Sequence, residues 1–362
     1  MREPPRLVPL PEALFGSDPV LALLEESLPH GDPWSWLLAT ALFEARALAR
    51  RFLEGNPAGL LRLVDEDLER LRALRGWLHE NHALSDLGCR EASSAEWAAL
   101  EVLERGGAEQ LAELYRRYAF APFATHSAFV WDGRLHPVAH PDPVDFDQLV
   151  GYEPQLERLT ANVERFLAGR PALSVLLYGA RGTGKSTAVK ALRTRYAERG
   201  LRLVEVLPEG LESLPDLLDL LRGLPQRFVL YIDDLAYDAA DAGWRKLKML
   251  LDGAVWASPK NALLAATSNR KNLIRERWSD RPDPGSEPAA WDSVQETLAL
   301  ADRFGLQLTF PPFDQELYLR AVAHHLQQDA LDEATRTAAL RFALEGRGFS
   351  GRAARQFADS YA

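Results

Sequence analysis

The run Gly179-Ala-Arg-Gly-Thr-Gly-Lys-Ser186 constrains this chain more than any other feature. It matches G-x-x-x-x-G-K-[ST] at every fixed position. An apolar run precedes it (Leu173, Val175, Leu176, Leu177, Tyr178) and a helix-compatible stretch follows (Thr187 to Glu198). A strand that feeds a glycine-rich turn and then a helix is the setting in which this pattern binds nucleotide phosphates.

The spacing has a physical reading. Glycines at 179, 182 and 184 let the backbone turn tightly and approach an anion with no Cβ between. The N–H groups of Gly179, Ala180, Arg181, Gly182, Thr183 and Gly184 then form an inward-facing nest. The helix that follows adds the positive end of its dipole. Lys185 is expected to reach the β- and γ-phosphates, Ser186 to ligate Mg²⁺, and Thr187 with the loop backbone to hold the α- and β-phosphates. The expected ligands are a nucleoside triphosphate and Mg²⁺. No Asn-Lys-x-Asp run of the kind that reads guanine is present, so ATP is the expected nucleotide.

A second motif lies downstream. Phe228-Val-Leu-Tyr-Ile232 is wholly apolar, which suits a strand buried on both faces, and it runs into Asp233-Asp234. An acid at the carboxyl end of such a strand faces the phosphate loop. Asp233 is expected to hold Mg²⁺, mostly through water, and Asp234 stands where a water-activating carboxylate belongs.

The rest of the chain divides by rhythm. From residue 145, strand-like runs (174–178, 202–206, 228–232, 262–266, 307–310) alternate with helical stretches. That alternation predicts a parallel sheet covered by helices on both faces, with the site at the strands' carboxyl ends. Residues 314–362 read as helices only. Residues 1–125 also read as helical: Trp34 to Gly55 and Leu60 to Leu78 have helical apolar spacing. Ser93-Ser-Ala-Glu96 reads as a capping box, and a further helix ends near Tyr118. Trp34, Trp36, Trp77 and Trp97 are expected in the core of this part. His79 and His82, three apart, read as a surface pair. Between the two parts, 126–144 carries apolar runs flanking Asp132-Gly133, a hairpin signal, and then the rigid stretch His140-Pro-Asp-Pro-Val144.

Composition bounds the class. With 362 residues, 47% hydrophobic and 26% charged, the chain has the balance of a globular protein of two or three domains. A formal net charge of −10 argues against coating nucleic acid with a bulk positive field. The lone cysteine, Cys89, excludes an intramolecular disulfide and fits a reducing cytoplasm. No signal-like leader or membrane-length apolar run is evident. The expectation is a cytoplasmic chain with no membrane partner.

Five features in order resemble the AAA+ ATPases, the oligomeric subset of P-loop proteins. Leu149-Val-Gly-Tyr152 resembles the segment before the first nucleotide-domain helix, which implies that Val150 and Gly151 border the adenine. The phosphate loop and the acidic strand follow. Ala265-Ala-Thr-Ser-Asn-Arg270 implies that Asn269 is the sensor-1 residue that positions water. Leu298-Ala-Leu-Ala-Asp-Arg-Phe-Gly-Leu306 implies that Arg303 is an arginine finger. Gly348-Phe-Ser-Gly-Arg-Ala-Ala-Arg355 implies that Arg352 is sensor 2, with Arg355 one turn away as the alternative. The ATSNR and DRFGL segments and Phe310-Pro-Pro-Phe-Asp-Gln315 are similar, more narrowly, to the domain-of-unknown-function 815 ATPases, over residues 128–362.

The resemblance implies an α/β fold: an AAA+ type three-layer sandwich with a parallel five-stranded sheet at 145–313, a small helical lid at 314–362 and a helical N-terminal domain. It implies catalytic roles for Lys185, Asp233, Asp234, Asn269, Arg303 and Arg352. It also implies a ring-like homo-oligomer that couples ATP to the remodelling or loading of a protein or nucleic-acid partner. Asp-Asp departs from the family's usual Asp-Glu. Aspartate is shorter by one methylene, so a slow-turnover ATP-dependent binding switch stands as the alternative. The cluster Arg270, Lys271, Arg275 and Arg277 reads either as a solvated helix face or as a channel-facing contact, and Arg281 to Pro288 as a mobile loop.

Overall fold

A computed structural model describes residues 32–55, 58–81, 91–235, 247, 259–269, 303–346 and 348–361. Cys89, His82, the basic cluster at 270–277 and the loop at 281–288 lie outside them. The chain forms two compact units, one of Met1–His126 with Gly223–Gln226, the other of Ser127–Arg222 with Arg227–Ala362.

The first unit is helical among its described residues: α1 (Pro33–Glu44), α2 (Arg46–Glu54), α3 (Ala58–Asn81), α4 (Ser94–Arg105) and α5 (Ala108–Tyr118). The stretch expected as one helix from Trp34 to Gly55 breaks at Ala45, whose ψ of 57° leaves the helical region. The capping box forms as the sequence predicts: Glu96 N–H donates to Ser93 Oγ at 3.3 Å and Ser93 N–H donates to Glu96 Oε2 at 2.9 Å. The expectation for the tryptophans needs correcting. Trp36 is buried, but Trp97 is 56% exposed. It sets one ring edge against Trp36, with centroids 5.0 Å apart, and leaves the rest to solvent.

The second unit is built on a seven-stranded sheet in the order β2-β1-β4-β5-β6-β3-β7. The strands are β1 (Ala128–Trp131), β2 (Leu135–Pro137), β3 (Val175–Gly179), β4 (Leu201–Val206), β5 (Arg227–Ile232), β6 (Ala262–Ser268) and β7 (Leu306–Phe310). The count corrects the five parallel strands expected. The hairpin at Asp132-Gly133 forms, with Phe129 paired to Pro137. It is part of the sheet: β1 runs parallel to β4, Phe129 beside Val204. The cause is twofold. Phe129 and Trp131 need burial, and both are under 5% exposed. The outer edge of β4 also offers unpaired backbone groups, which Ser127 and Trp131 carbonyls satisfy by accepting from Leu203 and Leu207 N–H at 2.9 Å. Among the described strands only β2 is antiparallel.

Strand residues on one face of the sheet (Val175, Leu177, Val229, Tyr231, Ala265, Leu308) join a core with α6 (Glu153–Leu167) and α7 (Lys185–Tyr196). Residues on the other face (Leu176, Val204, Leu230, Leu264) are equally buried. Both faces are therefore covered, and the short α8 (Leu214–Leu221) follows β4. Three helices close the chain: α9 (Gln315–His325), α10 (Glu333–Leu344) and α11 (Gly351–Tyr361). Asp314 and Asp332 cap the first two by accepting from Leu317 and Thr335 N–H. Among the described residues no helix is long and apolar enough to cross a membrane.

Candidate functional site

At the carboxyl end of β3 the chain turns through Gly179 to Gly184 and enters α7 at Lys185. Gly182 and Gly184 have φ of +74° and +91°, a region that glycine enters without steric cost. A Cβ on Gly184 would lie 2.2 Å from Leu149 Cδ2, and one on Gly182 would lie 3.0 Å from Ser350 Cβ. Lys185 is buried. Its ammonium donates to the Gly179 and Ala180 carbonyls at 3.1 and 2.7 Å. Burial lowers its pKa, and the carboxylates of Asp234 and Asp233 act against that shift. Thr183 Oγ1 donates to the Ala180 carbonyl as well.

Across from the loop, β5 delivers Asp233 and Asp234. Asp233 Oδ1 accepts from Ser186 Oγ at 2.8 Å, from Thr267 Oγ1 at 2.6 Å and from the Asp234 N–H at 3.0 Å. Desolvation pushes the Asp233 carboxyl up, but the hydrogen-bonding groups around it, Thr267, Tyr231, Ser186 and the Asp234 amide, outweigh it and hold the group below the usual carboxylate range. Asp234 takes a left-handed backbone, φ +45°, which aspartate adopts more readily than glutamate. The Asp-Asp pair is thus matched to its turn. Asn269, just past β6, donates its amide N–H to Asp234 Oδ1 at 2.8 Å.

These groups line one cavity of about 510 Å³, within the size range of small-ligand sites. Of the residues predicted from the sequence, Val150, Arg181 to Thr187, Asp233, Asp234, Asn269, Arg352 and Arg355 line it. Gly151, Gly179 and Ala180 are outside that lining: the Gly151 N–H donates to Glu153, while Gly179 and Ala180 serve as acceptors for Lys185. Arg303 is outside it too. It precedes β7, whose first residue Leu306 pairs with Val175, and neighbouring Gly305 abuts Leu173, ahead of β3. At about 3.3 Å per strand residue, roughly 15 Å of sheet separates Arg303 from its own phosphate loop.

Sequence reasoning missed Gln148, Tyr152, Phe313, Ala321 and His325, which line the same cavity. Tyr152 packs at a tilt against Phe310 and Phe313, and its hydroxyl donates to the Pro311 carbonyl at 2.7 Å. Arg355 donates to Gln148 Oε1 at 2.7 Å, and His324 Nε2 lies 2.6 Å from the Asp147 carbonyl. The final helices are thereby tied to the segment before α6. Arg352 N–H reaches the Gly182 carbonyl at 3.4 Å, so α11 begins against the phosphate loop.

Burial, then the positive fields of His324 and Arg355, lower the pKa of His325 against the opposing pull of Asp359. A depressed histidine means that the unfolded chain takes up its proton first on acidification. Stability is expected to fall as the pH drops below the ordinary histidine value of about 6.5. Thermal midpoints measured from pH 7.5 to 5.5 check this: His325→Gln is expected to flatten part of the acid slope, and an unchanged slope would refute it.

The lining sets Arg181, Lys185, Arg352 and Arg355 against two carboxylates, a balance that suits a polyanion. Ser186 and Asp233 are hard oxygen donors side by side, which suits Mg²⁺. The family described as "Protein of unknown function (DUF815)" matches residues 124–362. The chain belongs to that family. The match spans the whole sheet, the phosphate loop and the final helices. Among solved structures, the chain is similar to Thermotoga maritima RuvB, described as a Holliday junction branch migration motor (14% identity, 60% of this chain, 72% of that chain, TM-score 0.34). It is also similar to a proline-to-glycine mutant of the same RuvB (17% identity, 60% of this chain, 64% of that chain, TM-score 0.38). No curated protein matches the chain.

Proposed function

We propose that this chain is an AAA+ type ATPase that binds ATP with Mg²⁺ and turns it over in an assembly of like subunits. The observation that carries the reading is the convergence of Lys185, Ser186, Asp233 and Asn269 on one cavity behind a glycine cradle. In this reading Lys185 and the loop amides hold the phosphates. Ser186 and Asp233 hold Mg²⁺, which supplies charge neutralisation at the β- and γ-oxygens. Asp234 and Asn269 orient the attacking water, and Arg352 or Arg355 links the γ-phosphate to the final helices. The nucleotide-binding part is 145–313 with the β1–β2 hairpin added, the lid is 314–362, and the helical N-terminal part recognises an as yet unidentified protein or nucleic-acid partner.

Arg303 supports the oligomeric half. It stands at the end of β7 away from its own phosphate loop, so an arginine finger here serves a neighbouring subunit's site. Such fingers are worth roughly 10³–10⁵ in rate. Turnover per subunit is therefore expected to fall on dilution, and Arg303→Ala is expected to lose at least about a hundredfold of it while ATP binding survives. Specific activity that is flat across dilution, together with an unimpaired variant, would remove the shared-site reading.

One observation favours a second reading, the slow-turnover switch. Asn269 already holds the Asp234 carboxylate, which occupies the group that would polarise water. A turnover below about one per minute in the concentrated wild-type protein, with tight ATP binding, would select it.

A further inference from the structure

Past the last ladder pair of β5 and β6, Ile232 with Ala266, the two acids leave the sheet through the left-handed turn at Asp234. One residue of β6 bonds to Asp233, Asp234 and Leu235 in succession. Thr267 Oγ1 donates to Asp233 Oδ1 at 2.6 Å and accepts from the Asp234 N–H at 2.9 Å. The Thr267 carbonyl accepts from the Leu235 N–H at 2.8 Å. Thr267 is buried and stands behind the acids, outside the cavity lining.

Its partners fix what the hydroxyl does. A threonine hydroxyl has one proton and two lone pairs. The Asp234 amide can only donate, so it takes a lone pair, and the proton goes to the Asp233 carboxylate. A separation of 2.6 Å is that of a charge-assisted bond. The bonds from Ser186, Thr267 and Asp234 all end on Asp233 Oδ1, so they set the direction of the carboxylate without occupying Oδ2. Valine is close in shape and would fill a buried strand position with no polar group to satisfy. What threonine adds is one oxygen atom bonded to both acids. Two residues on, Asn269 holds the Asp234 carboxylate, so the end of β6 grips Asp233 by its side chain and Asp234 by backbone and side chain.

We propose that Thr267 is a positioning residue that sets both acids at once: its hydroxyl aims the Asp233 carboxylate for the metal and fixes the backbone from which Asp234 reaches the water. The inference rests on the proposed ATP–Mg²⁺ site and adds to it a residue that touches neither nucleotide nor ion.

Two variants of the full chain test this. Thr267→Val removes the hydroxyl and keeps the branched shape; Thr267→Ser keeps the hydroxyl and removes the methyl group. The ATP dissociation constant is measured by calorimetry in Mg²⁺ and in EDTA, and kcat at saturating ATP and Mg²⁺. Thr267→Val is expected to bind ATP as wild type does in EDTA, to show about a tenfold smaller gain in affinity on adding Mg²⁺, and to lose about tenfold or more in kcat. Thr267→Ser is expected to stay within about threefold of wild type in both. The reverse order, with serine worse than valine, would show that the methyl packing is what counts and overturn the inference. An undiminished Mg²⁺ gain in a folded Thr267→Val would overturn it too. If Thr267→Val does not fold, Thr267→Cys takes its place, since a thiol is only a weak donor; the same loss of Mg²⁺ gain is expected, and a cysteine variant equal to wild type overturns the inference. If wild type itself shows no Mg²⁺-dependent ATP binding, the proposed function falls. If wild type shows it and Thr267→Val matches, only the role of Thr267 falls.

Discussion

Lys185→Ala is expected to weaken ATP binding at least a hundredfold while moving the thermal midpoint by only a few degrees. The two effects separate because the lysine plays opposing parts in the resting fold. Its ammonium satisfies the Gly179 and Ala180 carbonyls, and losing those donors costs about 1 kcal/mol each. It is also a buried charge whose lowered pKa records a desolvation penalty, and truncation relieves that penalty. The terms oppose each other, so the net effect on folding is small. Binding has no such offset. A charge-assisted hydrogen bond to phosphate contributes about 1.5–3 kcal/mol, and two of them lost correspond to a hundredfold or more. Arg181, Arg352 and Arg355 still line the cavity, so some binding of the polyanion persists. Calorimetry paired with thermal unfolding reads both quantities, and a dissociation constant within threefold of wild type would remove Lys185 from the phosphate site.

What could be read in advance was local. The strand, glycine turn and helix occupy consecutive residues, so the pattern at 179–186 carries its own geometry. Asp233 was legible because a wholly apolar strand fixes where its last residue emerges. Asn269 was legible by resemblance, and its bond to Asp234 explains its position physically. The missed groups share one property: sequence distance. His325 reaches the cavity from the end of α9, and Gln148 is held by Arg355, 207 residues away. No short window records either approach. The hairpin at Asp132-Gly133 shows the same limit. Its turn is local and was read, but the pairing of Phe129 with Val204 is not, and it joined the expected hairpin to the sheet as two further strands. The left-handed turn at Asp234 was also invisible, and it changes the meaning of Asp-Asp from a shortened acid to a residue suited to its backbone.

Gly179→Ala is expected to be the most destabilising single substitution in the phosphate-loop region, at about 3–5 kcal/mol and a thermal midpoint lower by about 10 °C or more. Gly179 closes β3 with φ +147°, beside Phe310 in the ladder with β7. An added Cβ would lie 1.9 Å from the Phe310 carbonyl oxygen and 2.8 Å from its carbon. Both are backbone atoms, and neither strand is free to yield. The Phe310 ring packs on Tyr152 with centroids 4.7 Å apart, and the Tyr152 hydroxyl holds the next carbonyl, that of Pro311. Relief would require β7 to leave the ladder. The contrast with two other left-handed glycines isolates this cause. At Gly184 the obstacle is Leu149 Cδ2, the far end of a side chain that can turn aside, so alanine there disturbs the cavity more than the fold. At Gly200, φ +85° with nothing within 4 Å, alanine meets only the left-handed backbone and costs about 1–2 kcal/mol. Unfolding of the three variants side by side decides the matter. If Gly179→Ala melts within a few degrees of Gly200→Ala, β7 is not braced against the phosphate loop, and the close approach of those two strands does not set the shape of the cavity above them.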